Sequence, residues 1–434
     1  MAGVTVIGAG LAGCEAAALL ARRGIKVMLL EMKPQKFSPA HTNAGFAELV
    51  CSNSLKAERE DSAAGLLKAE LKLLGSICIE AAYACRVPAG GALAVDRDGF
   101  SAYITNAVKS HPLIETICEE ARKIPEDGIN IVATGPLTSD PLAKEIRLLC
   151  GGSLWFYDAA APIVTAGSID MGRAFAASRY DRGGDDDYIN CPLDAEEYGR
   201  FYEALITAEC AEAHGEDRER KVYEGCMPVE ILAKRGPDTL RFGPMKPVGL
   251  CDPQTGHRPW AVAQLRREKR EGSLYNMVGF QTNLKFGEQK RVFSMIPALA
   301  NADFMRYGVM HRNTFIDSPR LLNKNYSLKK NKNIFFAGQI TGVEGYMESA
   351  ASGILAGINA FNLLAGKEPF VPPRETMTGA LTNYITDGSV KSFQPMGANF
   401  GILPPLPEHI RDKRERYKKL SERAIDQLAE HYNR

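Results

Sequence analysis

Two cysteines stand where sulfur chemistry is possible. Cys51 lies in Phe46-Ala47-Glu48-Leu49-Val50-Cys51-Ser52-Asn53-Ser54-Leu55-Lys56, and Cys226 lies in Tyr223-Glu224-Gly225-Cys226-Met227-Pro228-Val229-Glu230. Both sit among polar, turn-bearing residues rather than inside an apolar repeat. Polar neighbours and nearby helix starts hold a thiolate, which is the nucleophilic form of the side chain. Taken singly, a cysteine in such a setting is more often structural, so the residues alone leave both readings open. Cys14, Cys78, Cys118 and Cys150 fall in apolar or helical stretches and read as small core residues.

A fold that brings a cofactor to such a sulfur is written at both ends of the chain. The first unit runs Val4-Thr5-Val6-Ile7-Gly8-Ala9-Gly10-Leu11-Ala12-Gly13-Cys14-Glu15-Ala16-Ala17 and reaches Glu31 after Val27-Met28-Leu29-Leu30. Gly8 permits a tight turn, Gly10 lets the backbone approach a pyrophosphate, and Gly13 lets helix pack close on strand. Phosphates then sit at the positive end of a helix from Leu11 to Arg23, and Glu31 falls where a carboxylate accepts ribose hydroxyls. The candidate contacts here are Gly8, Ala9, Gly10, Leu11, Ala12, Gly13 and Glu31. A bare glycine fingerprint is weak; strand, helix and acid in register with it make it strong. The theme returns at Asn333-Ile334-Phe335-Phe336-Ala337-Gly338-Gln339-Ile340, followed by Gly342, Glu344, Gly345 and Tyr346 and a small-residue helix from Glu348 to Leu364. One FAD held by both ends of the chain accounts for the two units together. Tyr346 suits stacking near a flavin or donating a proton, and equally suits plain packing beside a glycine turn.

The 434 residues exceed one simple core, so two domains are expected. The formal net charge of +1 provides no global field toward nucleic acid, and any basic surface must be local. Ten scattered cysteines without a CxxC pair, and a start directly at the first strand without a long apolar span, lead to the expectation of reduced thiols and a cytoplasmic protein. No cysteine–histidine cluster has metal spacing. Ser62 to Leu74 has helical spacing, Ile129 to Gly135 reads as a buried strand ending in a turn, and the tail from Pro407 to Arg434 as a solvated helix. From about Gly167 to Ala300 the character changes to charge runs and Gly/Pro turns. The expected class is α/β: a Rossmann-like FAD-binding domain with an inserted α+β domain. Its parts are 1–166, the insert 167–303 carrying Cys226, and 304–434 with the C-terminal helix.

The chain resembles the bacterial folate- and FAD-dependent tRNA (uracil-5-)-methyltransferases. The resemblance is carried by Gly8 to Ala17, Pro39-Ala40-His41, Phe46 to Leu55, Gly91 to Arg97, Phe156 to Val164, Glu224 to Val229, Gly243 to Leu250, Val278 to Leu284, Arg306 to Thr314, Phe336 to Ala351 and Phe393 to Met396. It is collinear over nearly the whole chain; FAELVCSNSL and EGCMPVE are far more specific than the glycine fingerprint. Ala18 departs from a common tryptophan and Gly397 from a common asparagine.

The resemblance implies a reaction that fits the chemistry of uracil. Carbon 5 is a poor nucleophile until a thiolate adds to carbon 6. Methylenetetrahydrofolate brings a carbon at the formaldehyde level, reduced flavin brings the further hydride equivalent, and NADH or NADPH recharges the flavin. The carbon-6 nucleophile is carried onto Cys226 and the assisting thiol onto Cys51, with the roles exchangeable. His41 is a candidate for folate or phosphate, Lys246 and Arg312 for folate glutamate or RNA phosphate. The run Arg266, Arg267, Lys269 and Arg270 reads as a tRNA-phosphate contact or, equally, as a solvated helix face. Competing readings are the same chemistry on ribosomal RNA, a thiol–disulfide flavin oxidoreductase, and a non-catalytic RNA-binding flavoprotein. No serine–histidine, zinc-protease or Walker context supports a hydrolase or NTPase.

Overall fold

The computed structural model describes residues 3–152, 154–181, 184, 187–211, 227–390 and 393–432. Its first sheet has six strands in the order Ser327–Leu328, Asn331–Phe336, Ile129–Val132, Val4–Ile7, Val27–Glu31 and Ile114–Cys118. All neighbours pair parallel except the antiparallel edge strand Ser327–Leu328. A parallel sheet is covered on both faces, so its central strands are apolar throughout: Val4, Val6, Ile7, Ile131, Val132, Phe335 and Phe336 are all buried.

The helix Leu11–Arg22 follows the first strand and lies against Tyr346–Leu364. Small residues make that approach possible. A Cβ on Gly353 would stand 2.2 Å from the Ala12 carbonyl oxygen, and one on Gly357 3.1 Å from the Ala16 Cα. The second helix begins at Tyr346, two positions before the expected start, because Gly345 at φ 128° closes the turn directly onto it. The expected helix at Ser62 spans Ala63–Leu73, with the Ser62 hydroxyl accepting from Gly65 N, and the tail forms the helix Lys413–Tyr432.

A second six-stranded sheet is antiparallel, in the order Phe175–Ala176, Tyr188–Leu193, Ala261–Arg267, Leu274–Met277, Ile163–Thr165 and Phe304–Arg306. It reaches slightly outside 167–303, taking one strand from each flank. Its core is separate from that of the first sheet and includes Phe201, Leu205, Phe280 and Phe293. The helices Ala195–Thr207 and Phe286–Phe293 contribute to that core. The α/β class with an inserted α+β unit therefore stands. Among the described residues no helix is long and apolar enough to cross a membrane.

The basic run at 266–270 requires a correction. It does not form a solvated helix. Arg266 and Arg267 end the strand Ala261–Arg267, and the run is the seam between the two halves. Arg266 is buried, donating from Nε to Asn53 Oδ1 at 2.8 Å and from Nη2 to Ser52 Oγ at 2.8 Å. Lys269 pairs with Asp98 at 3.1 Å, and Arg270 donates to the Ala84 carbonyl. Glu268 takes a two-pronged bond from Arg97, at 2.6 and 3.1 Å. Two of these contacts are ion pairs, Arg97 with Glu268 and Lys269 with Asp98; Arg266 and Arg270 are held by neutral oxygens.

Candidate active site

A cavity of about 380 Å³ opens where the first sheet ends. Gly8, Ala9, Gly10, Leu11, Ala12 and Glu31 line one part of it; Gly338, Glu344, Gly345 and Tyr346 line another; Cys51 and His41 stand between. The first turns of both glycine-preceded helices face it, and neither N-terminus has a side-chain cap. Helix N-termini left uncapped offer N–H groups and a positive dipole end to an anion.

The glycines serve two purposes. A Cβ on Gly8, at φ 99°, would lie 2.6 Å from the Ala133 carbonyl oxygen, and one on Gly13 would lie 1.8 Å from that of Gly8. Those positions are closed by packing. Gly10 has nothing within 4 Å of a would-be Cβ, so the chain is bare toward the cavity where a pyrophosphate must approach. Gly13 and Gly342 do not line the cavity; Gly342 accommodates the Phe393 ring, which a Cβ would meet at 2.4 Å. Glu31 accepts from Ala9 N at 2.8 Å and Lys33 N at 3.0 Å, one on each oxygen. A carboxylate has about four acceptor sites, so capacity for ribose hydroxyls remains. The residues present fit a dinucleotide such as FAD.

The loop that carries Cys51 is strapped to this turn. Ala47 N donates to the Ala9 carbonyl at 2.9 Å. Lys33 Nζ, nearly buried, donates to the carbonyls of Asn43 at 3.1 Å and Gly45 at 2.5 Å, and lies 3.6 Å from Glu48. Arg97 Nη1 holds the Leu49 carbonyl at 2.8 Å and that of Val50 at 3.3 Å. These anchors hold Ala47 at φ 49°, a left-handed conformation that a non-glycine residue adopts at a cost of about 1 kcal/mol or more.

Cys51 itself meets Tyr346. The phenol oxygen lies 3.0 Å from Cys51 Sγ and accepts from Cys51 N at 3.0 Å and Ser52 N at 3.3 Å. With two N–H groups on its oxygen, the phenol is left to donate its proton, and the sulfur is the group in reach. Burial and then the neighbouring Cys51 hold the Tyr346 hydroxyl well above its usual range, so it stays a proton donor. Burial opposes the charge of Arg97, but Glu268 overcomes it and keeps the guanidinium charged. Tyr346 is thus both packed at its turn and hydrogen-bonded to the candidate sulfur.

Cys226 and the side chain of Arg312 lie outside the described residues. The backbone re-enters close by: Val229 N donates to the Gln281 carbonyl at 2.7 Å, and Gln281 lines the same cavity. Lys246 belongs instead to a different groove on the second sheet. Sequence reasoning singled out neither Lys33, Arg97 nor Asn53. Nothing local in the sequence marks Arg97 as the brace of the carbonyls of Leu49 and Val50, 48 and 47 positions before it. Of the expected core cysteines, Cys14 and Cys78 are buried, whereas Cys118 and Cys150 are only partly so.

Comparison with known proteins agrees with this architecture. The family described as glucose inhibited division protein A matches residues 3–368. Methylenetetrahydrofolate–tRNA-(uracil-5-)-methyltransferase TrmFO of Acetivibrio thermocellus is 60% identical over 432 residues, 99% of each chain. The protein of the same name from Listeria innocua is 59% identical over 426 residues, 98% of each. Among solved structures, Aquifex aeolicus GidA superposes with a TM-score of 0.70 at 18% identity, over 100% of this chain and 75% of that one. That likeness concerns the fold; the sequence relationship is carried by the close relatives along nearly their full lengths. The chain belongs to the glucose inhibited division protein A family and, within it, to the methylenetetrahydrofolate–tRNA-(uracil-5-)-methyltransferases.

Proposed function

We infer that the protein is a flavoprotein that makes 5-methyluridine in the tRNA T-loop, with methylenetetrahydrofolate as carbon donor and NADH or NADPH as reductant. The observation that carries the reading is the meeting of Cys51 with two uncapped helix N-termini in one cavity, in a chain whose near full-length relatives bear that enzyme's name. Gly8 to Ala12, Glu31, Gly338, Glu344, Gly345 and Tyr346 would hold FAD. Bound and reduced, it supplies the hydride equivalent that takes a formaldehyde-level carbon to a methyl group.

The chain's own residues do the rest. Cys226, delivered by the 167–303 insert, adds as thiolate to carbon 6 of uracil, and the ring's electron pair becomes available at carbon 5 for bond formation to the one-carbon unit. Cys51 takes the carbon-5 proton, Tyr346 holding its sulfur and the amides of Cys51 and Ser52 in place. Loss of that proton expels the carrier's nitrogen from the one-carbon unit; once that carbon has been reduced to a methyl group, the 5,6 double bond re-forms, the carbon 6–sulfur bond breaks and Cys226 leaves as thiolate. Residues 1–166 and 304–434 form the cofactor half.

The test is to incubate FAD-loaded protein with undermodified tRNA, methylenetetrahydrofolate and NADPH. The expected product is 5-methyluridine in the T-loop; product in ribosomal RNA alone, or none, overturns the reading. A covalent adduct with RNA containing 5-fluorouridine, lost in Cys226→Ala with flavin still bound, assigns the nucleophile.

A further inference from the structure

The inserted sheet carries a second concavity, a groove of about 1180 Å³ remote from the fingerprint turn. Two large aromatics on it face solvent, Phe242 at 82% and Trp260 at 45% exposure. The Arg241 guanidinium lies 3.7 Å above the Trp260 ring, fixed there by Asp238 at 2.6 Å and the Trp260 carbonyl at 3.1 Å. Burying such rings is favourable, so solvent-facing aromatics framed by cations mark a binding surface rather than a folding requirement.

The charges of the groove are unequal in availability. Its carboxylates are engaged at home: Asp194 and Glu197 form a capping box at 2.8 and 2.9 Å, and Asp252 accepts from Gln254 N at 2.9 Å. Lys246, His257 and Arg258 line the groove with no carboxylate in ion-pair reach among the described residues. The net offer is positive and planar, which is the combination that takes a sugar-phosphate backbone and its bases.

The groove and the Cys51 cleft lie at opposite ends of one sheet face. Along the strand Ala261–Arg267, Val262, Gln264 and Arg266 share that face. Val262 packs with Phe175 and Leu250 at the groove. Gln264 accepts from Arg179 at 2.8 Å, which also donates to the carbonyls of Lys246 and, at 3.1 Å, Val248. Arg266 ends the row on Ser52 and Asn53. From Trp260 to Arg266 the strand spans about 20 Å, a distance one structured RNA bridges easily.

We propose that this groove is a second docking surface for the RNA substrate, with Lys246 and Arg258 on phosphates and Trp260 against a base or ribose, while the target uridine enters the Cys51 cleft. The proposal rests on the RNA-methyltransferase reading above. Its test uses FAD-loaded full-length protein and an unmodified tRNA transcript, with affinity read by fluorescence anisotropy across a salt series.

In Lys246→Gln/Arg258→Gln, affinity falls about tenfold and the slope of log Kd against log salt becomes shallower by about 1.5, the loss of two phosphate contacts. The flavin absorbance spectrum, unchanged, reports an intact fold. Since the chain has two tryptophans, Trp155→Phe leaves Trp260 as the sole indole, and its fluorescence is quenched on tRNA addition. Wild-type protein that binds and methylates tRNA, alongside a double variant with unchanged Kd and slope, overturns the groove and leaves the enzyme reading standing. The groove also falls if its variants alter only association with another protein. Wild-type protein that neither binds nor methylates tRNA overturns both.

Discussion

At the scale of single residues, the phenol of Tyr346 is the most informative atom group of the site. It touches Cys51 Sγ and two backbone amides that residues 295 and 294 positions away present to it. Tyr346→Phe keeps the ring and removes all three contacts. Turnover is expected to fall by about a hundredfold, while flavin absorbance at full loading is retained; an unchanged kcat refutes the role given to the hydroxyl. The other sulfurs separate by environment. Burial pushes the Cys191 thiol up to about 12 and that of Cys150 to about 11. Alkylation with iodoacetamide at pH 8, read by peptide mass spectrometry, therefore spares Cys191 and Cys150 in folded protein and labels both after denaturation.

At the scale of elements, the contact between Leu11–Arg22 and Tyr346–Leu364 sets the distance between the two cofactor-facing helix starts. Gly353→Ala places a methyl 2.2 Å from the Ala12 oxygen. Overpacking of this kind costs about 1–3 kcal/mol, and the expected signs are a lower Tm and weaker FAD retention on gel filtration. Glu70 ties the helix Ala63–Leu73 to the start of Met377–Thr386, accepting from Met377 N at 2.6 Å and Thr378 N at 2.8 Å.

Burial raises the Glu70 pKa from 4.5 to about 7, against the pull of those donors. A carboxyl whose folded pKa is raised supports the fold below its unfolded pKa, and that support is lost as pH rises toward 7. The change amounts to about 3 kcal/mol from 2.5 pH units. Urea unfolding between pH 4.5 and 7.5 is expected to show this decline in the wild type and a shallower one in Glu70→Gln. Equal slopes would place the titration elsewhere.

These elements were largely legible from sequence. Strand, glycine turn and helix follow from local spacing, and the two fingerprint helices start within two residues of expectation. What was not legible depends on partners far along the chain. The charges of 266–270 read as surface because charge usually is, whereas the fold sets Arg266 against Asn53 across 213 positions and buries both. The pairing of Cys51 with Tyr346 was invisible for the same reason, although each residue was noted singly.

At the scale of the whole molecule, the apolar packing of the first sheet and that of the second meet across a polar seam, and its central bond is that of Arg97 with Glu268, whose side chains are 14% and 3% exposed. Arg97→Ala leaves a buried carboxylate without its counter-charge and frees the carbonyls of Leu49 and Val50. A loss of about 3–5 kcal/mol in unfolding free energy is expected, with faster proteolytic cleavage between the halves; Arg97→Ala/Glu268→Ala is expected to recover part of it. The cysteine loop hangs between that seam and the fingerprint, and its inner knot is the bond from Ala47 N to the carbonyl of Ala9, a residue set between two of the fingerprint glycines. A substitution that shifts the backbone at Ala9 is therefore expected to change the rate at which Cys51 is alkylated, a cross-talk that thiol labelling followed by peptide mass spectrometry reads out.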